Sequence, residues 1–146
     1  MLCAGDLLVL TGDLGAGKTT LTQGLSEGLG VRGPITSPTF VIARIHPSLV
    51  GGPALVHVDA YRLGGGLELD DLDLDASIEE SVTVVEWGHG VAEPLSGDRL
   101  ELVLEAVPTG ERWASLTPTG PRWQRPDAVA ALASLAALPL AESAER

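Results

Sequence analysis

A chain of 146 residues has the length of about one domain and is able to bury roughly two-thirds of its unfolded surface in a single core. Nine Lys and Arg against twenty Asp and Glu give a formal net charge of -11, the opposite of the basic footprint that gripping a nucleic-acid backbone requires, and three Trp, one Tyr and one Phe are too few to build stacking platforms for bases. One cysteine, Cys3, excludes an internal disulfide and every cysteine-rich zinc pattern, and suits a reducing cytoplasm.

In chain order, Asp6 to Thr11 is a short apolar run ending in glycine and reads as a buried strand. A helix is expected from about Lys18 to Leu29, with Leu21, Leu25 and Leu29 on one face and Gly30 as its stop. The proline-bearing stretch Gly33 to Pro38 reads as loop, and Thr39 to Ile45 as a strand. Pro47 to Pro53 is a turn, followed by a strand over Ala54 to Asp59. After Gly64 to Gly66, the acidic stretch Leu67 to Ser81 reads as one or two short solvated helices, with a partner-binding face as the sharper alternative. Val82 to Glu86 is a second buried strand ending in a carboxylate. Arg99 to Val107 and Arg112 to Thr117 form a hairpin across Pro108 to Gly110, and a last helix runs from about Pro126 to Leu138. Strands mixed with helices, opening on strand, glycine loop and helix, predict an α/β three-layer sandwich with a largely parallel central sheet and an antiparallel hairpin. No cationic segment precedes an apolar one at the amino terminus, and Ala128 to Ala141 is too short to span a bilayer, so a soluble protein without membrane contact is expected.

The segment Gly12-Asp13-Leu14-Gly15-Ala16-Gly17-Lys18-Thr19 matches G-x-x-x-x-G-K-[ST] in full, between a predicted strand and a predicted helix. Glycines let the main chain wrap a phosphate, and amide groups at a helix start face the anion. Lys18 is then expected on the β- and γ-phosphates and the Thr19 hydroxyl on magnesium. Lys18 is the only lysine in a chain whose other Lys/Arg cations are all arginine; a base-composition bias toward arginine codons explains that usage, and the lysine that survives it fits the need for a compact ammonium inside a tight amide loop. Metal and attacking water need carboxylates at strand ends, where Asp59 and Glu86 both lie. Either qualifies as the Walker B residue, with the other orienting or deprotonating the nucleophile; a capping or surface acid is the plain alternative for each. His57, two residues before Asp59, is placed to hydrogen-bond to it or to be a core histidine; with His46 and His89 scattered, no zinc constellation is formed. Asparagine is absent, so the Asn-Lys-x-Asp element that reads guanine cannot be present and adenine is favoured. Arg62 and Arg112 are candidate phosphate or adenine contacts.

GDLGAGKTT at Gly12 to Thr20, SPTF at Ser37 to Phe40, HVDAYRL at His57 to Leu63 and VEW at Val85 to Trp87 resemble, in order and approximate spacing, the TsaE (YjeE) family of bacterial tRNA threonylcarbamoyladenosine biosynthesis, over Leu2 to about Leu138. The resemblance implies a slow, partner-dependent ATPase that uses ATP and magnesium and acts in the cytoplasm with the TsaB and TsaD proteins, which modify adenosine at position 37 of certain tRNAs; tRNA is then met only indirectly. It implies that Glu86 binds magnesium with Thr19 and that Asp59 is the Walker B like acid. Ser37 and Thr39 become a switch-like loop, Trp87 lies near the nucleotide or the partner, and Arg112 approaches the nucleotide, which the loop from Gly12 to Thr20 contacts. Family members usually carry a strand and helix ahead of the P-loop strand, whereas Met1 here falls almost on that strand. The reading is thus one P-loop ATPase domain over residues 1–138 without that element, then a polar tail over 139–146. A longer chain is expected to bind ATP more tightly and melt higher. The alternative function is a free-standing P-loop small-molecule kinase, which needs an acceptor pocket and a cationic lid.

Overall fold

The computed structural model describes residues 2–37, 42–63, 72 and 74–137. Among them, six strands form one sheet: β1 (Leu7–Thr11), β2 (Ala43–His46), β3 (Ala54–Asp59), β4 (Ser81–Glu86), β5 (Arg99–Ala106) and β6 (Arg112–Thr119). The helices are α1 (Lys18–Leu29), α2 (Asp75–Ile78) and α3 (Pro126–Ala136), with 3-10 turns at Glu93–Leu95 and Pro121–Gln124. The strand order is β2-β3-β4-β1-β5-β6. The four inner strands are parallel, and β2 and β6 pair antiparallel with their neighbours. This is the predicted α/β architecture, with β2 adding a second antiparallel edge.

Sequence explains which strands are inside. The residues of β1, β3 and β4 are buried at nearly every position because both faces of a parallel sheet are covered. Leu8, Leu10, Leu55, Val82 and Val84 point to one face, where Leu21, Leu25 and Leu29 of α1 and Trp123, Ala128 and Leu132 near the carboxyl end cover them. Leu7, Val9, Val56, Val58 and Val85 point to the other, against Leu74, Ile78 and Ala92. Leu10 is fully buried at the last turn of sheet before the glycine loop, and its truncation to Ala costs about 2–5 kcal/mol. Helix α1 stops at Gly30, whose φ of 65° lets its N–H reach back to the Glu27 carbonyl at 3.1 Å.

Several boundaries differ from expectation. β4 begins at Ser81, which pairs with Ala54 of β3, and β6 continues to Thr119, because pairing with Arg99 and its neighbours extends the hairpin beyond the alternating stretch. The strand expected from Thr39 appears as Ala43–His46; residues 38–41 lie outside the described set. Of the acidic stretch, α2 is the described helix, and 64–71 and 73 lie outside. Helix α3 ends at Ala136; Leu138 and the expected tail over 139–146 are outside as well. Among the described residues no helix is long and apolar enough to cross a membrane.

Candidate functional site

The carboxyl ends of the inner parallel strands carry the site. β1 runs out at Thr11, and the chain turns through Gly12 at a φ of 149°. A Cβ there would collide with the Leu104 carbonyl of β5 and press on Ala16 Cβ at 3.1 Å, so the loop packs on β5 only because Gly12 has no side chain. Gly17, with a φ of 107°, is the cap from which α1 starts. The hydrogen bond from the Ala16 N–H to the Asp13 carbonyl, 3.0 Å, closes the loop between them.

Lys18 is buried at the first turn of α1, and its ammonium donates to the carbonyls of Gly12 at 2.6 Å and Asp13 at 2.9 Å. The indole of Trp87 lies across it, 3.7 Å from Nζ to the ring centroid. Burial lowers the Lys18 pKa from 10.5, against the opposing pull of Glu86, Asp59 and Asp13. Trp87 reaches this place because it takes a φ of 60° directly after β4 and donates its N–H to the Leu10 carbonyl at 2.8 Å. The next residue, Gly88, fits tightly against Val85 and Val9, where a Cβ would lie 2.9 and 3.0 Å from their methyl groups. Tyr61 packs on the indole at 4.9 Å between centroids.

Parallel pairing of β3 and β4 puts Asp59 directly opposite Glu86. The two acids nevertheless have different surroundings. Glu86 is 2% exposed and accepts from Thr19 Oγ1 at 3.0 Å, Thr22 Oγ1 at 3.4 Å and His57 Nε2 at 2.8 Å. Asp59 is half-buried and accepts from the Tyr61 N–H at 3.0 Å and the Ser37 hydroxyl at 3.3 Å. His57 therefore bonds to Glu86 rather than to Asp59, the partner its sequence position suggested. Asp59 lies at the cleft, whereas His57 is sealed beneath α1, where Glu86 crosses from the neighbouring strand.

A cleft of about 590 Å³ opens over these groups, lined by Leu14, Gly15, Gly17, Lys18, Thr19 and Thr20 from the loop and helix, and by Ser37, Asp59, Glu86 and Trp87 from facing elements. Arg62 also lines it. Leu14 is 91% exposed at its rim, Ala16 is turned into the interior, and Gly12 and Asp13 supply the carbonyls that hold Lys18. Arg112 on β6 donates from Nη1 to the Gly15 carbonyl at 2.6 Å, so it reaches the loop from the opposite edge of the sheet. Thr39 lies outside the described residues; Ser37 of the same expected switch loop does meet Asp59. His46 bonds to the Arg32 carbonyl and His89 lies beside Glu93, both apart from the cleft. Sequence reasoning missed Thr22, although its position one turn after Thr19 on the sheet side of α1 carried the signal, and missed Tyr61 entirely.

The loop, the sealed lysine and the threonine-to-glutamate contact coincide with a match to the family model for threonylcarbamoyl adenosine biosynthesis protein TsaE, which covers residues 1–113. The chain belongs to the TsaE family. Among its TsaE relatives, the tRNA threonylcarbamoyladenosine biosynthesis protein TsaE of Streptomyces coelicolor is 60% identical over 133 residues, spanning 87% of this chain and 89% of the relative. The protein of that name from Bacillus subtilis is 41% identical over 121 residues, 82% of this chain and 74% of the relative. The crystal structure of Bacillus subtilis YdiB superimposes with a TM-score of 0.68 at 33% identity, covering 90% of this chain and 78% of that one. Membership of the TsaE family ties the chain to tRNA threonylcarbamoyladenosine biosynthesis, and the fold is that of a P-loop NTPase.

Proposed function

We propose that the protein binds ATP with magnesium and hydrolyses it slowly, in partnership with TsaB and TsaD proteins, during formation of threonylcarbamoyladenosine at position 37 of tRNA. The observation that carries the reading is the convergence on one cleft of Lys18, Thr19 and the Glu86 carboxylate at the head of α1. Amide groups of the loop and the helix start favour phosphate oxygens, and Lys18 adds a charge that burial keeps close to them. Bound phosphate would take the place beside the ammonium that the Trp87 ring now occupies.

Magnesium fits the donor set: Thr19 Oγ1 and the Glu86 and Asp59 carboxylates are hard oxygen ligands. Among the described residues no group of three or more His, Cys, Asp or Glu is arranged to hold a metal, which suits an ion that keeps waters and takes phosphate oxygens. When bound, it neutralises charge on the transferring phosphoryl group. Asp59, held by Ser37 and the Tyr61 amide at the open side of the cleft, is the group available to orient the attacking water. Absence of asparagine argues against guanine recognition, and the net charge of -11 argues for meeting tRNA through partner proteins in the cytoplasm rather than directly.

ATP turnover measured with and without TsaB and TsaD tests the proposal, with Lys18→Ala as control. Turnover that rises with the partners and disappears in the variant is expected. A folded wild-type chain that takes up no Mg-ATP by calorimetry overturns it.

A further inference from the structure

We infer that His57 is a positioning residue for Glu86: it pins Oε1 of the carboxylate so that Oε2 stays turned to Thr19 and the cleft. The inference rests on the proposed role of Glu86 in holding magnesium and deepens it. In the strand register His57 pairs with Val84 and Asp59 with Glu86, so the imidazole and the carboxylate leave neighbouring strands on the face covered by α1. His57 is fully buried and Glu86 is 2% exposed. Their contact, 2.8 Å from Nε2 to Oε1, is the shortest that the carboxylate makes.

The other two donors hold Glu86 less firmly. Thr22 is at 3.4 Å and also donates to the Lys18 carbonyl at 3.0 Å, so its single hydroxyl proton is shared between two acceptors. Thr19 is itself a proposed metal ligand, so its hydroxyl has to serve a cation through a lone pair as well as the carboxylate through its proton. His57, fully buried and outside the lining of the cleft, holds Glu86 independently of what the cleft contains. Among the described residues its Nδ1 has no hydrogen-bond partner, which favours the proton on Nε2: an unpartnered buried N–H costs more than an unpartnered lone pair. Among the described residues each of the two buried histidines has one bonded ring nitrogen, but that of His46 meets a main-chain group, the Arg32 carbonyl, whereas that of His57 meets the Glu86 carboxylate. Outer partners that orient ligating groups typically affect metal affinity by about 10–100-fold.

The test uses the full chain and a ribose-labelled fluorescent ADP, titrated with magnesium and separately measured in EDTA. His57→Asn is expected to raise the magnesium concentration at half-effect about 10–100-fold while nucleotide affinity in EDTA stays within about twofold. His57→Gln, whose amide nitrogen reaches where Nε2 stood, is expected to restore most of the response; in His57→Asn the amide falls near the former Nδ1. Both replacements are polar and of moderate size, and melting curves are the check that each is folded. Equal magnesium responses for wild type, Gln and Asn overturn the inference. Glu86→Gln separates the two levels: if it keeps a wild-type magnesium response, the reading of Glu86 as metal holder fails and this inference with it. If it loses the response while His57→Asn keeps it, only the role of His57 fails.

Discussion

Replacing Lys18 by Met removes one charge and little else. Met is unbranched and of similar length, so it fills the channel under Trp87 and keeps a sulfur-aromatic contact with the ring. In the free protein the ammonium already carries a desolvation cost, visible in its lowered pKa, which offsets its bonds to the Gly12 and Asp13 carbonyls. Stability is therefore expected to change by less than about 1 kcal/mol. Nucleotide affinity is another matter, because the variant loses a charge-assisted hydrogen bond to phosphate, about 1.5–3 kcal/mol. That corresponds to Mg-ATP binding weaker by about ten- to 150-fold. Isothermal calorimetry beside thermal unfolding measures both quantities. An affinity within threefold of wild type at unchanged melting temperature would show that Lys18 is not a phosphate ligand.

The same residue gives a pH dependence. Lys18 holds its proton less firmly in the folded chain, so the unfolded chain binds more protons in the interval below 10.5; the burden this places on stability is relieved as pH rises through that interval. Stability of wild type relative to Lys18→Met should thus climb toward alkaline pH while its advantage in Mg-ATP affinity shrinks, and a flat difference contradicts the assignment. Arg122→Met should cost about 3 kcal/mol, because Asp6, 3% exposed, would keep only the Cys3 amide of its three donors; urea denaturation reads the loss. Gly24→Ala and Gly28→Ala, in exposed interior turns of α1 with open space around each Cβ, should each add about 0.5–1 kcal/mol and leave nucleotide binding unchanged, as melting curves and calorimetry would report. Gly12→Ala should lower Mg-ATP affinity and stability together, because its Cβ pushes the loop off the Leu104 carbonyl.

The strand, loop and helix at the head of the chain were legible because each carries a local signal: an apolar run, a glycine spacing, a leucine period. The carboxylates were legible by position, since Asp59 and Glu86 each close an apolar strand, and the sheet aligns them in one register. What distinguishes them was not legible. Their different burial follows from β4 standing beside β1 under α1, an adjacency set by strand order and absent from any local pattern. Of the two readings left open for His57, a bond to Asp59 and a core position, the first fails for the same reason: sequence neighbours on one strand are obvious, and a neighbour across the ladder is not. Arg112 was singled out as a candidate nucleotide contact, but its contact with Gly15 depends on β5 and β6 continuing the sheet past β1.

The strand that delivers the glycine loop precedes both of its neighbours in sequence and sits in the middle of the sheet, where it pairs with residues 83–86 on one side and 99–103 on the other. A growing polypeptide therefore makes its anion cradle before either of the strands that the cradle leans against has been synthesised. Such distant pairing slows folding and leaves a bare hydrophobic ribbon in the meantime. Any fragment that stops short of residue 99 keeps the loop's sequence and loses the wall, at Leu104, on which the loop rests.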